Sequence, residues 1–263
     1  MNTSAHGASF GLDKDTLTDI AQQRMARSLV FPQWSTREKV AATCRILFEH
    51  GHDSGLAGQI TARGEQAGTY VTQRLGLGFD EIEVDNLLLV DQDLEVIEGD
   101  GMANPANRFH SWIYRARPDV QCIVHTHPMH VCALSITGTP LQVAQMDACM
   151  LYDDVAFLAA WPGVPVGNSE GEIITRTLGS KRAAVLAHHG LVVACRSVEE
   201  ACVVAIQCER AARMQLLAAP AGPINALDPV LAREAHDWIL HGQRIEAAFH
   251  YFARRAARSQ AQR

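Results

Sequence analysis

The segment Cys122-Ile123-Val124-His125-Thr126-His127-Pro128 reads as one buried strand that runs into two histidines, and the architecture can be built outward from it. Side chains alternate across a strand, so His125 and His127 project to the same side. Two imidazoles over one pocket make half of a metal site, because neutral imidazole is a ligand for zinc, iron(II) and manganese alike. The third ligand must come from elsewhere. Ala187-His188-His189-Gly190 offers a pair, of which only one member can face the metal if both lie in a strand. His130, on the helix that follows, and His110, at the centre of the helix that leads in, are the other candidates. Three histidines leave a coordination position open to a carbonyl or carboxylate oxygen, the arrangement of a Lewis-acid catalyst.

Upstream, Asn107 to Arg115 has helical spacing and stops ahead of Pro118, which disfavours helix in the residue before it. Gly55-Leu56-Ala57-Gly58-Gln59-Ile60-Thr61-Ala62-Arg63 reads as a glycine turn entering a strand, and Tyr70-Val71-Thr72 and Asn86 to Asp91 as further strands. Ser35-Thr36-Arg37-Glu38 has capping-box spacing ahead of Val40, Cys44, Leu47 and Phe48 at helical intervals, with a stop near Gly51. Downstream, Met129 to Ile136 is helical and breaks at Gly138. Val155 to Leu158 and Gly163 to Val166 read as short strands, Glu170 to Leu178 as helix, and Ala183 to Ala187 as a buried strand. A long helix follows from Val198 to Leu217, then a loop at Pro220, Gly222 and Pro223, then a last helix from Pro229 to Ala256. The alternation predicts a single layered α/β domain over residues 31–256, with an N-terminal arm carrying a short helix at 1–30 and a tail at 257–263.

Composition narrows the function. The net charge is -6 and the basic residues are scattered without stacking aromatics, which argues against a nucleic acid partner. Arg254, Arg255 and Arg258 read as a solvated helix end. Seven cysteines without a Cys-x-x-Cys pair, mostly inside apolar runs, behave as small buried hydrophobes of a reducing compartment. No apolar run reaches membrane-span length and no basic-then-apolar leader opens the chain, so the expectation is a cytoplasmic protein with no membrane partner. No phosphate-loop lysine, Rossmann fingerprint, Gly-x-Ser-x-Gly elbow or His-Glu-x-x-His motif occurs. Gly55 and Gly58, with Gln59 and Thr61, offer backbone N–H groups and short polar side chains to an anion.

Several of these segments belong together. Gly58-Gln59-Ile60-Thr61-Ala62-Arg63, then His110 through Tyr114-Arg115-Ala116-Arg117-Pro118-Asp119-Val120, Val124-His125-Thr126-His127 and His188-His189-Gly190-Leu191 resemble the class II aldolase/adducin family from about Lys39 to the helix after Glu200. The resemblance implies a three-layer fold with a central, mostly antiparallel sheet flanked by helices. It also implies a homotetramer with active sites between subunits, and a divalent metal (zinc, manganese or iron) on His125, His127 and His189. The choice of His189 over His188 comes from the family pattern.

One departure from that pattern directs the functional reading. The family's aldolases carry a catalytic glutamate four residues before the histidine matching His110, and here that position is Ala106, within Asn104-Pro105-Ala106-Asn107. Thr72-Gln73-Arg74 stands where a phosphate-binding turn is expected. Other branches of the family decarboxylate hydroxylated aromatic dicarboxylates or use non-haem iron for oxidative cleavage, and adducin itself is a binding protein. The expectation is a metal-dependent carbon–carbon lyase, a decarboxylase or an aldolase, acting on a small anionic hydroxy, oxo or aromatic carboxylate. Arg63, Arg74 and Arg108 are the cations expected at the substrate's carboxylate. His110, Tyr152 and Asp153 are the expected proton-transfer groups, with Asp147 a weaker candidate.

Overall fold

The structure is a computed structural model that describes residues 8–261. The chain divides into two compact units, residues 1–33 and 34–263. In the first, helix α1 (Lys14–Ser28) opens at Asp13, whose carboxylate accepts the Thr16 N–H at 2.8 Å. It runs for 15 residues, longer than the short helix expected in the arm, and none of its side chains is buried.

The second unit is built on one sheet. Its strands are β1 (Gly58–Arg63), β2 (Thr69–Gln73), β3 (Leu87–Asp91), β4 (Val96–Glu98), β5 (Cys122–Thr126), β6 (Val155–Leu158), β7 (Ala183–Leu186) and β8 (Gly190–Cys195). They lie in the order β4-β3-β2-β1-β5-β8-β7-β6. Every neighbouring pair is antiparallel except β6 with β7. That parallel pair is joined by helix α5 (Asn168–Leu178), the crossover that parallel strands require. All five residues of β5 are buried, the consequence of covering both faces of a central strand.

Alternation along the strands divides the core in two. Ile60, Ala62, Val124, Leu191 and Val193 pack on one face with helices α2 (Thr36–Glu49), α6 (Val198–Ala218) and α8 (Gly242–Gln260). Tyr70, Leu88, Ile123, Val192 and Ala194 pack on the other with α3 (Arg108–Ala116) and α5. Helix α2 starts on a complete capping box between Ser35 and Glu38, which satisfies two of its orphan amides. Helix α4 (Met129–Ser135) follows β5 directly.

Three readings of the sequence change. Gly163 to Val166 is a loop and not a strand, since Pro162 and Pro165 have no N–H to offer a ladder. The last helix is two, α7 (Pro229–Ile239) and α8, separated where His241 takes an extended conformation ahead of Gly242. Helix α8 runs on to Gln260, into the stretch read as a tail. Strands β4 and β8 also join the sheet without having been anticipated. Among the described residues no helix is long and apolar enough to cross a membrane.

Candidate metal centre

Three histidines converge at one end of the sheet. His125 is in β5, His127 lies one residue beyond its end, and His189 sits in the turn between β7 and β8. Ligand atoms of the three all fall within 4.8 Å of one another. The Nε2 atoms of His125 and His127 are 3.1 Å apart, and the ring of His189 is centred 4.8 Å from each of the other two. His188 and His189 are not strand residues, so alternation does not choose between them. His188 takes a left-handed conformation (φ 59°) and is exposed, whereas His189 turns inward, with its N–H donating to the Leu186 carbonyl at 3.1 Å.

The donor set suits a divalent cation. The Nδ1 of His125 is 2.8 Å from the Leu191 carbonyl, which can only accept, so Nδ1 carries the proton and Nε2 presents its lone pair. His189 Nδ1 is buried without a partner. Burial is the main cause that holds all three imidazoles in the neutral form a metal needs. His125 lies well below the ordinary histidine value, with further contributions from His189 and His127; His127 is lowered, and His189 falls to about 4.

Backbone packing fixes the approach of the two segments that carry the triad. Gly190 lies so close to β5 that a Cβ there would stand 2.6 Å from both His127 Cδ2 and the Thr126 carbonyl oxygen. Helix α4 adds a second tie, from Cys132 Sγ to the His189 carbonyl at 3.3 Å. Neither was legible in spacing, since neither glycine nor cysteine stands out in an apolar run.

Behind the triad lies a buried polar network on the α3 side of the sheet. Gln59 pairs in register with His125 across the β1–β5 ladder, is 4% exposed, and leaves its Oε1 without a partner. His110 Nδ1 is 2.8 Å from Thr61 Oγ1, which is also 3.0 Å from the Tyr114 hydroxyl; that hydroxyl donates to the Thr61 carbonyl at 2.9 Å. Every proton in this chain finds an acceptor when His110 Nδ1–H donates to Thr61 and Thr61 donates to Tyr114. That assignment leaves the unpartnered His110 Nε2 as a lone pair. Burial takes His110 down to about 3, so it is neutral. Asn107, fully buried and not foreseen, donates to Thr72 Oγ1 at 3.1 Å and keeps a free Oδ1.

The remaining expected site residues separate into groups. Gly58 (φ 146°) begins β1 beside the triad, with its carbonyl accepting from Gln73 Nε2 at 2.7 Å. Thr61 is a support for His110. Arg74, just past β2 at that same end, is loosely placed 3.9 Å from Asp100. Ala106 lies in a 3-10 turn (Pro105–Asn107) capped by Asn104, and its methyl group carries no proton. Arg63 belongs elsewhere. It ends β1 at the far edge of the β1–β5 ladder and donates to the carbonyls of Val120, Tyr114 and Arg117 at 2.7–3.3 Å. Arg108 pairs with Asp93 at 3.1 Å, and the two arginines line an open groove of about 450 Å³ over α3 with Tyr70, Trp112 and Arg115. Tyr152 and Asp153 precede β6, so the full length of that four-residue strand, roughly 13 Å, lies between their end of the sheet and the end that carries His189. Asp153 is held by Lys181 at 3.0 Å and Arg233 at 3.4 Å, and Tyr152 stacks under Arg233. Within one chain, Arg63, Arg108, Tyr152 and Asp153 are not brought to the triad.

Gly190→Ala tests the close approach. The two contacts at 2.6 Å cannot be relieved by a rotamer change at Thr126, whose atom is backbone. The variant should fold with a stability loss of about 1–3 kcal/mol, the range for overpacking, and bind divalent metal more weakly. Urea unfolding and a metal titration that both match wild type would show that the segments can separate freely.

Residues 38–216 match the family described as Class II Aldolase and Adducin N-terminal domain. The chain is 33% identical over 182 residues to a protein named Decarboxylase NovR from Streptomyces niveus, covering 68% of this chain and 67% of that one. It is 32% identical over 182 residues to a 4-hydroxy-3-prenylphenylpyruvate oxygenase/4-hydroxy-3-prenylbenzoate synthase from Streptomyces roseochromogenus subsp. oscitans, covering 68% and 66%. The matches thus span about two thirds of each relative. Among solved structures, L-fuculose 1-phosphate aldolase from Glaciozyma antarctica PI12 superimposes with a TM-score of 0.80 at 28% identity, over 90% of this chain and 98% of that one. Sheet order, helical layers and family match agree: the chain belongs to the class II aldolase and adducin family.

Proposed function

We propose that the protein is a divalent-metal-dependent carbon–carbon lyase, and that decarboxylation of a small oxygenated carboxylate is its reaction. The observation that carries this reading is the pairing of three neutral, convergent imidazoles with an alanine where the aldolases place a carboxylate. His125, His127 and His189 would hold the cation. When bound there, a divalent ion such as zinc, manganese or iron supplies Lewis acidity to an oxygen adjacent to the breaking bond.

The chain's own groups supply the rest. Loss of carbon dioxide needs no base to take a proton from a sugar hydroxyl, so Ala106 is no handicap. A proton must still reach the carbon that is left. His110, neutral and tied through Nδ1 to Thr61, presents its Nε2 lone pair as an acceptor, and its assigned role is to orient through that atom the water that delivers the proton. Arg74 is the cation assigned to a second carboxylate, since its guanidinium is only loosely engaged. Gln59, through its free Oε1, would accept from a substrate hydroxyl. The 32% identity to an oxygenase supports a second reading, oxidative cleavage with iron at the same histidines. A binding protein without catalysis, after adducin, is the third. All seven cysteines are free, which supports a reducing, cytoplasmic setting.

Metal analysis of purified protein, followed by assays for released carbon dioxide, released aldehyde and consumed oxygen, separates these readings. His125→Ala and His127→Ala should each remove most of the metal while the fold persists, and His189→Ala should do more harm than His188→Ala. Wild-type metal content in the first two variants would remove the basis of the proposal.

Ala106→Glu should not create cleavage of fuculose-, rhamnulose- or ribulose-phosphate. Thr72 and Gln73, where a phosphate turn would lie, spend their side chains on the Ile60 and Gly58 backbone, so the remote binding energy that positions such substrates is missing. Robust turnover of any of the three would identify a disabled sugar-phosphate aldolase instead.

The assembly proposed is a homotetramer with sites between subunits. Exposed Leu56, Met129 and Trp161 at the histidine end of the sheet support it. Sedimentation that finds only monomer at assay concentration would rule it out.

A further inference from the structure

We infer that Glu209 and helix α4 form a clamp that positions two of the three histidines, which makes Glu209 and Cys132 positioning residues of the metal centre. The inference rests on the metal-binding reading above. Helix α4 begins two residues after His127, and its cap residue is Pro128, whose side chain has nothing to offer the first-turn amides. Such amides need an outside acceptor. Glu209, from α6, supplies it. Its Oε1 accepts the His130 N–H at 3.0 Å, and its Oε2 accepts the Val131 N–H at 3.0 Å. The Oε1 also lies 2.5 Å from His130 Nδ1. Glu209 is 8% exposed, so these are charge-assisted bonds away from bulk water, among the stiffer contacts a protein makes.

The clamp reaches both ligand-bearing segments. At its start, the fixed φ of Pro128 (-70°) transmits the placement of α4 to His127 with little slack. One turn later, Cys132 Sγ donates to the His189 carbonyl. A shift of α4 therefore moves His127 and His189 together relative to His125, which its own bond to Leu191 holds in the sheet. His130, a candidate ligand on spacing, faces the Glu209 carboxylate instead, while the clamp itself is carried by the backbone N–H groups of His130 and Val131.

A cap that served stability alone would lower the melting temperature of the metal-free protein and leave the affinity of folded protein for metal unchanged. Zinc titration against a chromophoric chelator, with cobalt absorption as a report on ligand geometry and melting of the metal-free protein alongside, separates the two roles. Glu209→Gln keeps the shape but turns an NH2 group toward an amide that also donates. It should weaken zinc binding roughly tenfold to a hundredfold, the range for groups that orient ligands, and alter the cobalt spectrum. His130→Ala keeps both backbone bonds and should stay within about threefold of wild type, below that range. Unchanged zinc affinity in folded Glu209→Gln, or an equal loss in His130→Ala, would overturn the clamp. Should Glu209→Gln fail to fold, Cys132→Ala decides, because it trims only the tie to His189, and unchanged affinity there also overturns it. Wild-type protein that takes up no zinc would overturn both the clamp and the metal-binding reading, whereas stoichiometric uptake with indifferent variants overturns the clamp alone.

Discussion

The antiparallel pairing of β5 with β8 is the constraint on which the candidate site depends. It sets Leu191 opposite Thr126 and Val192 opposite His125, which puts the Leu191 carbonyl where it fixes the protonation of the His125 ring. It also brings Gly190 against His127 so tightly that a Cβ there would force a shift in its neighbours. The turn that carries His189 is the direct continuation of β8. One ladder therefore places one histidine of the triad, orients a second and limits the position of the third. Burial on both faces of β5 keeps that ladder in a single register, because a slip by one residue would exchange the two faces and move His125 to the α2 and α6 side.

Desolvation and hydrogen bonding act in the same direction around the triad. A buried imidazole resists protonation, and a ring that donates one N–H to a fixed acceptor presents its other nitrogen as a lone pair. His110 follows the same logic through Thr61 and Tyr114, without being part of the triad. The result is four neutral rings in one region, with unpartnered polar atoms on Gln59, Asn107, His110 and His189. Buried polar groups without partners are costly, and here they concentrate beside the three histidines.

Charge is arranged differently. The arginines expected around an anionic substrate are divided between the two ends of the sheet. Arg63 is spent on backbone carbonyls at the end of α3, and Arg108 on Asp93, while Arg74 stays at the histidine end. Tyr152 and Asp153 belong to a surface cluster with Lys181 and Arg233. Polarity within an apolar stretch marked these two in the sequence, and within one chain their partners are Lys181 and Arg233, away from the triad.

Local pattern by itself determined the β5 strand, the capped helix α2, the glycine entry into β1 and the pairing of His125 with His127, because periodicity and capping act over a few residues. Resemblance singled out His189, where spacing left His188 open. Tertiary structure alone decided the rest. The turn geometry at His188, the Leu191 carbonyl, the approach of Gly190, the Thr61–His110 contact and the reach of Glu209 to α4 all join segments far apart in the chain. The same holds for the arginines: a side chain's charge is written in the sequence, but its partner is chosen by which strand end it occupies. Contacts of that kind arise only when the sheet closes its register, and no spacing rule in one segment can report what stands opposite it.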